Sequence, residues 1–257
     1  MNVEINFEEY GQGETVVVLH GLFGSARNWR GIAKQLAEQY HVFTLDLRNH
    51  GESGHNPNMR YADMATDVAE FLHQQKLERA SVIGHSMGGK TAMTFALNYP
   101  SMLDKLIILD IAPVKYQNEF SHLIESMLSL DLENITSRQE ANTVLGQAIG
   151  DNMLSLFLLQ NLVRNDEGFR WRINLQGIHS SLPDISNFAD FSAEQVHIGP
   201  TLFLAGEQSD YIQECHHDSI QSFFPNSVMQ SISNAAHWLH ADQPERVFEE
   251  ISAFLAK

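Results

Sequence analysis

The chain has 257 residues, with 32 acidic against 16 basic side chains and a formal net charge of −16 at pH 7. This length is enough for one large domain with a buried core. The negative charge opposes binding to nucleic acid and to anionic lipid surfaces, so neither is expected as a partner. The hydrophobic content of 43% is that of a globular protein and excludes a disordered or fibrous chain.

The single cysteine, Cys215, excludes an internal disulfide and fits a reducing compartment, and it is expected to pack within a helix. The first residues lack the basic and apolar segments of a secretory signal. No apolar run reaches the length of about 20 residues that a membrane-spanning helix needs. We therefore expect a cytoplasmic protein, either a monomer or a homodimer.

Short runs of Val, Ile and Leu alternate with helical patterns along the chain. Such runs are typical of strands that are buried on both faces of a parallel sheet. Their alternation with helices predicts an α/β fold with a mostly parallel central sheet flanked by helices. The predicted strands are 16–19, 42–45, 81–83, 106–109, 201–204 and 228–232.

Helices are predicted where apolar residues recur at helical spacing. The first, 28–39, opens with Asn28 as the expected N-cap, and the second covers 61–75. A third begins at Pro244, a residue type favoured in the first turn of a helix. The apolar stripes of these helices are expected to pack into the core and to have no cofactor role.

A long segment follows the strand that ends at Asp110. Roughly 90 residues separate that strand from the next predicted one, more than a crossover between parallel strands needs. The segment is expected to be mainly helical, with a short exposed strand at 169–173 and no buried strand. The sequence therefore predicts a helical cap at 112–190, inserted into a core that is formed by 1–111 and 191–257.

The motif G-x-S-x-G occupies 84–88, directly after a predicted strand and before a helix-forming stretch. At such a sharp turn the serine takes a strained backbone conformation, and side chains two positions before or after it would collide. Gly84 and Gly88 satisfy that requirement. The context predicts an α/β-hydrolase fold with Ser86 as the nucleophile, standing at the C-terminal edge of the sheet.

A glycine-rich loop at 20–24 follows the first buried strand. In this fold, one backbone N–H from such a loop and one from the residue after the nucleophile bind the oxyanion of the tetrahedral intermediate. The predicted donors are the N–H groups of Leu22 and Met87, with Phe23 as the alternative to Leu22.

The general base is expected in the loop after the last strand, where His237 lies. His240 is the alternative, but its place one turn nearer the last helix favours a surface or capping role. His85 is next to the nucleophile in sequence, yet its side chain is expected to point away from the direction that Ser86 faces. His20 is expected to brace its own loop.

Two carboxylates follow predicted strands between the nucleophile and the base, in the chain order that a triad of this fold requires. Asp110 ends one strand, and Asp210 lies in the loop after the next. Ser209 stands at the position of the usual acid, one residue before Asp210. Because the acid only has to reach the Nδ1–H of the base in space, spacing alone leaves Asp110 and Asp210 equal.

Several sequence blocks resemble the YbfF-type esterases, in the same order and over nearly the whole chain. The blocks are 20–25, 46–53, 84–90, 110–114 and 236–241. The resemblance implies that Asp110 is the acid and that Ser209 assists the base, in a Ser-Asp-Ser-His tetrad. Asp210 departs from the family pattern and is an alternative acid. The block 46–53 is expected to be structural and to tie a loop beneath the site.

These residues predict a serine esterase that hydrolyses short- to medium-chain carboxylic esters through a Ser86 acyl-enzyme, without a metal or cofactor. Coenzyme A thioesters are a second substrate class, with Arg27, Lys90 or Lys115 meeting the phosphates. The same scaffold also serves lyases, C–C bond hydrolases and receptor-like binding proteins with a vestigial triad. The cap residues expected to line an acyl pocket are Phe120, Leu123, Met127, Phe157, Leu158 and Phe169.

Overall fold

The computed structural model describes residues 3–117, 120–166, 168–188, 191 and 195–257. Its strands are β1 Phe7–Gly11, β2 Glu14–Leu19, β3 Tyr40–Leu45, β4 Ala80–His85, β5 Leu103–Leu109, β6 Leu162–Asn165, β7 Gly168–Trp171, β8 Thr201–Gly206 and β9 Ser227–Ile232. Within these residues, seven strands form the central sheet in the order β1-β3-β2-β4-β5-β8-β9. All neighbours in that sheet are parallel except β1, which runs antiparallel to β3. The predicted α/β fold is confirmed.

The two edge strands differ from the sequence expectation. β1 was not predicted, because its short mixed sequence FEEYG has no continuous apolar run. β9 was predicted as buried on both faces, and this is wrong: Val228 is 51% exposed. β9 pairs with β8 on one side only, so its outer residues have no neighbouring strand to cover them.

Helices surround the sheet. They are α1 Arg30–Leu36, α2 Tyr61–Gln74, α3 Met87–Asn98, α4 Phe120–Leu128, α5 Arg138–Ile149, α6 Asn152–Leu158, α7 Leu175–Ser180, α8 Leu182–Ser186, α9 His217–Phe223, α10 Leu239–Asp242 and α11 Pro244–Leu255. The predicted helix starting at Pro244 is confirmed. The predicted N-cap Asn28 is wrong, because a 3-10 helix, Ala26–Trp29, precedes α1 and is capped by Ser25, whose N–H donates to Asn28 Oδ1 at 2.7 Å.

The sheet separates two apolar layers. Successive side chains of a strand point to opposite faces, so Val17 packs on one side of β2 while Val16 and Val18 pack on the other. The Val17 layer includes α2 and α3, and the opposite layer includes α1 and α11. Burial on both faces explains why the central strands are continuous apolar runs.

Between β5 and β8 the described residues form α4 to α8 and the antiparallel hairpin of β6 and β7. The predicted exposed strand at 169–173 corresponds to β7, Gly168–Trp171. Several hydrogen bonds join this segment to the rest of the chain; among them, Asn161 Nδ2 donates to Phe23 O at 2.7 Å, and Tyr61 Oη donates to Ile185 O at 2.6 Å. No helix in the described part of the chain is both long and apolar enough to cross a bilayer.

Candidate active site

Ser86 occupies a sharp turn between β4 and α3, with φ 52° and ψ −117°. A Cβ added at Gly84 would lie 2.3 Å from Gly88 O, and one added at Gly88 would lie 2.4 Å from Leu19 O. Backbone atoms cannot yield as the end of a side chain can, so both positions require glycine. The predicted sharp turn, with Ser86 in a strained backbone conformation, is confirmed.

Three side chains from separate parts of the sequence meet at the C-terminal edge of the sheet. His237 Nε2 lies 2.9 Å from Ser86 Oγ, and His237 Nδ1 lies 2.8 Å from Asp110 Oδ2. Asp110 directly follows β5, the neighbour of the β4 strand that leads to Ser86. Its carboxyl is fully buried, whereas the His237 side chain is 23% exposed. The three groups form one hydrogen-bonded chain.

The buried Asp110 carboxylate has a partner for each oxygen. Oδ1 accepts the N–H of Gly206 at 3.0 Å, and Oδ2 accepts the Ser209 hydroxyl as well as contacting His237. A buried carboxylate is tolerated only with such donors. Ser209 therefore bonds to the acid and not directly to the imidazole. Asp210 is exposed and accepts from Gln213 Nε2 at 3.0 Å, and among the described contacts it is not part of this chain of bonds.

The two candidate donors of the glycine-rich loop differ in their partners. The N–H of Phe23 donates to His50 Nε2 at 3.1 Å. Within the described ranges, no acceptor is bonded to the N–H of Leu22 or of Met87. Leu22 lines the same cavities as Ser86, and Met87 directly follows Ser86. The geometry thus favours Leu22 over Phe23 as the donor available to a ligand.

The block 46–53 braces this loop from below. Asp46 Oδ1 accepts the N–H of Ala26 at 2.7 Å, and His20 Nε2 accepts the N–H of Leu47 at 3.0 Å. Together with the bond from Phe23 to His50, these contacts hold both ends of the loop. The structural role expected for the block, and the bracing role expected for His20, agree with these contacts.

Two further histidines surround the base. His85 Nε2 lies 2.8 Å from the backbone oxygen of His237, so its ring supports the loop and is not bonded to Ser86 Oγ. The His240 ring stacks on Trp29, with centroids 4.7 Å apart and planes 7° apart. The surface or capping role expected for His240 is wrong, because the stacked indole covers one face of its ring.

The buried histidines predict a loss of stability in acid. Burial is the main cause that lowers the pKa of His50 to about 3, and it also lowers the pKa of His20 and His85. These rings are neutral in the folded chain and take up protons on unfolding below about pH 6.5, so stability is retained above that pH and falls as the pH drops. Between its unfolded and folded pKa values, His50 contributes roughly 1.4 kcal/mol per pH unit.

We expect the free energy of unfolding in urea to fall steadily from pH 6.5 towards pH 4.5. His50→Gln keeps an acceptor for the Phe23 N–H. This variant should reduce the slope of the unfolding free energy against pH by the equivalent of about one bound proton. Exposed His73→Gln is the matched control. Equal slopes in the two variants would contradict the assignment of His50 as a buried neutral ring.

Tyr211 and Tyr116 were not predicted at the site. The Tyr211 ring stacks on His237, with centroids 3.8 Å apart and planes 17° apart. Tyr116 Oη donates to the backbone oxygen of Tyr211 and accepts the N–H of Ala112 at 2.9 Å. No spacing rule predicts these contacts, because Tyr116 and Tyr211 are 95 positions apart and Tyr211 stacks on a residue of another loop. The only signal in the sequence was the place of Tyr211 in the loop after β8.

Two cavities meet at Ser86, with empty volumes of about 550 Å³ and 390 Å³ including their mouths. Leu22 and Phe120 line both. The larger is otherwise mostly apolar and aromatic, and the smaller contains an ammonium group, that of Lys90. Of the residues expected in an acyl pocket, Phe120, Leu123 and Phe157 line the larger cavity. Met127 and Leu158 are fully buried in the core, and Phe169 lies against Arg164; these three line neither cavity.

The basic residues expected to meet coenzyme A phosphates have different surroundings. Lys90 is 2% exposed, and its Nζ donates to two backbone oxygens, those of Ser186 and Asn187. Lys90 is therefore an interior residue, and its contact with a coenzyme A phosphate stays a prediction. Arg27 and Lys115 are exposed.

Comparison with known proteins agrees with the fold and the site. Residues 14–244 match the sequence family described as the alpha/beta hydrolase fold. The chain belongs to this family.

Relatives narrow the class further. The sn-1-specific diacylglycerol lipase ABHD11 of Danio rerio is 38% identical over 257 residues, 97% of this chain and 80% of the relative. Esterase YbfF of Escherichia coli K12 is 32% identical over 241 residues, 93% of this chain and 92% of the relative. A solved marine microorganism esterase is 38% identical with a TM-score of 0.95, covering 98% of this chain and 100% of that one. The chain is thus a YbfF-like carboxylic ester hydrolase, as its sequence blocks predicted.

Proposed function

We propose that the enzyme hydrolyses short- to medium-chain carboxylic esters by transferring the acyl group first to Ser86 and then to water. The observation that carries this proposal is the chain of bonds from Ser86 Oγ through the His237 imidazole to the buried Asp110 carboxylate. Such a chain activates a hydroxyl that is otherwise a weak nucleophile at neutral pH.

In the first half of the reaction, Ser86 Oγ attacks the ester carbonyl carbon while His237 Nε2 takes the hydroxyl proton. Asp110 holds the imidazole in the tautomer with a proton on Nδ1 and stabilises the imidazolium that forms. His237 then returns the proton to the alcohol oxygen as the C–O bond breaks. Because Asp110 Oδ2 also accepts from Ser209, we assign Ser209 a positioning role on the acid.

The tetrahedral intermediate carries a negative oxygen that needs fixed donors. The unengaged N–H groups of Leu22 and Met87 fit this role, and the bond from Phe23 to His50 leaves Leu22 as the donor from the loop. The bracing by His50 would keep the loop from shifting as charge develops. Water then attacks the acyl-enzyme with His237 as base, which regenerates Ser86.

The substrate would lie across Ser86 with one side of the ester in each cavity. We propose that residues 112–190 act as a cap, because Phe120, Leu123 and Phe157 from this segment line the larger cavity. Its contacts with the Phe23 loop fix the cap over the site. Cys215 lies in the 3-10 helix Glu214–His216 but is exposed, so it does not pack there as the sequence predicted. Its free thiol supports the proposed cytoplasmic location.

The test is a panel of p-nitrophenyl esters and matching coenzyme A thioesters, graded from acetyl to palmitoyl. We expect kcat/KM to be highest for short and medium acyl esters and lower for the thioester of the same acyl group, because the backbone oxygens of Ser186 and Asn187 beside Lys90 Nζ repel a multiply charged phosphate. Multiple turnovers per active site separate an enzyme from a protein that is only acylated. A higher kcat/KM for the thioesters at every chain length would contradict the proposal.

A further inference from the structure

Lys90 is an ammonium group in the interior without an acidic partner. It lies in the first turn of α3, where its backbone N–H donates to Ser86 O at 3.0 Å, and its residue is 2% exposed. No ion pair joins Lys90 to a carboxylate in the part of the chain that the structure describes, and burial alone lowers the pKa of its side chain, to about 7. An unpaired buried charge is costly, so a folded chain rarely retains one without use.

The contacts of Lys90 hold the ammonium without neutralising it. Nζ donates to Ser186 O at 3.1 Å and Asn187 O at 2.7 Å, at the C-terminal end of α8. It also lies 4.8 Å from the ring centroid of Tyr116 and 5.7 Å from that of Tyr61. An ammonium has three N–H donors, and these two hydrogen bonds use two of them. One donor is left.

A second donor belongs to Ser186, the residue whose backbone oxygen accepts from Lys90 Nζ. Ser186 is 6% exposed, and its Oγ is buried without a hydrogen-bond partner among the residues that the structure describes. Buried hydroxyls nearly always have a partner, so an unpaired hydroxyl on a residue that is bonded to the ammonium points to a missing acceptor. Ser186 and Lys90 line the smaller of the two cavities, which Ser86 also lines.

We propose that Lys90 and Ser186 form a subsite for a free carboxylate group of the substrate, so that the enzyme prefers esters that carry one. A carboxylate oxygen accepts hydrogen bonds from both the ammonium and the hydroxyl, and it supplies the missing negative charge. A monoanion is favoured over a phosphate dianion, because the Ser186 and Asn187 backbone oxygens beside Nζ repel additional negative charge. This inference rests on the ester hydrolysis proposed above.

The carboxylate can be carried by either side of the ester. It belongs to the acyl side in a half ester of a dicarboxylic acid and to the alcohol side in an acylated hydroxy acid. Monoethyl succinate represents the first, with ethyl 4-methylpentanoate as its neutral isostere. Acetoxyacetate represents the second, with isobutyl acetate as its neutral isostere. The measured quantity is the ratio of kcat/KM for the charged ester to that for its isostere, followed in a pH-stat.

We expect the ratio in at least one pair to fall by about tenfold or more in Lys90→Met and by a smaller factor in Ser186→Ala. Lys115→Met is the matched control, because Lys115 is an exposed lysine in the chain segment that leads into the same cavity. The ratio in the unaltered enzyme should also decline as the pH rises through about 7, where Lys90 loses its proton. Ionisations that both esters share cancel in the ratio.

Equal losses on charged and neutral esters in Lys90→Met would overturn the subsite and leave Lys90 only as a support for α8. So would a ratio that Lys115→Met alters as much as Lys90→Met. If Lys90→Met does not fold, Ser186→Ala and the pH dependence of the ratio decide. An enzyme that hydrolyses neutral esters without any preference contradicts the subsite alone, whereas the absence of ester turnover contradicts the proposed function. Calorimetric binding of monoethyl succinate to Ser86→Ala then still tests the subsite.

Discussion

Ser86→Ala is expected to lower kcat for p-nitrophenyl butyrate by about 10⁴-fold or more, because no acyl-enzyme can form without Oγ. The residual rate would come from the oxyanion donors and the cavities alone. Alanine has the same Cβ as serine, so it meets the same strain at φ 52° and should not disturb the turn. Thermal unfolding of the variant should therefore stay close to that of the unaltered enzyme.

Ser81→Ala is the matched control for this substitution. Ser81 lies in β4, the strand that leads to Ser86, and it is buried like the nucleophile. Ser81 comes five residues before Ser86, near the start of β4, so its hydroxyl does not reach the imidazole. Removal of that hydroxyl should change kcat by no more than a few-fold. Retention of most turnover in Ser86→Ala, with Ser81→Ala unaffected, would remove Ser86 from the mechanism.

The sharp turn at Ser86 could be predicted from the local sequence alone. The spacing of Gly84 and Gly88 around Ser86 is dictated by backbone atoms within a few residues, so it can be read without knowledge of the fold. The central strands could be predicted for a similar reason, because burial on both faces leaves a continuous apolar run. The edge strands β1 and β9 lack that burial: β1 was not predicted, and β9 was predicted as a strand but wrongly as one buried on both faces.

Contacts between distant parts of the chain could not be predicted. Spacing left Leu22 and Phe23 as alternatives, and what separates them is a bond from Phe23 to His50, 27 positions away. The stacking of His240 on Trp29 joins residues even further apart, so its sequence place suggested only a surface role. The burial of Lys90 could not be predicted, because the carbonyls that bind it come from the end of α8, nearly 100 positions later.

The choice of acid shows the same limit. Spacing left Asp110 and Asp210 equal, and only the family resemblance favoured Asp110. In the structure Asp110 has φ 50°, a left-handed backbone conformation at the end of β5, and its Oδ2 lies 2.8 Å from His237 Nδ1. Whether a carboxylate after a strand turns towards the base depends on backbone and side-chain angles of this kind, which residue type does not reveal.

Asp110→Asn is therefore expected to lower kcat by about 10⁴-fold, the effect of presenting an amide to the base in place of a carboxylate. The new NH₂ group donates where Oδ2 accepted, so the imidazole can no longer keep its proton on Nδ1 and its lone pair towards Ser86. Asparagine retains an oxygen that can accept the Gly206 N–H, so the loss should appear in kcat more than in the unfolding temperature.

Asp210→Asn provides the comparison, one position from Ser209 in the same loop. Asp210 is exposed, and its one described hydrogen bond is a solvent-exposed bond from Gln213. The substitution should therefore change kcat by no more than a few-fold. A larger loss in Asp210→Asn than in Asp110→Asn would assign the acid to Asp210. Residues that act as a unit are strongly non-additive, so Ser86→Ala combined with Asp110→Asn should be no slower than Ser86→Ala alone. A further drop in that double variant would mean that Asp110 acts on something other than the nucleophile.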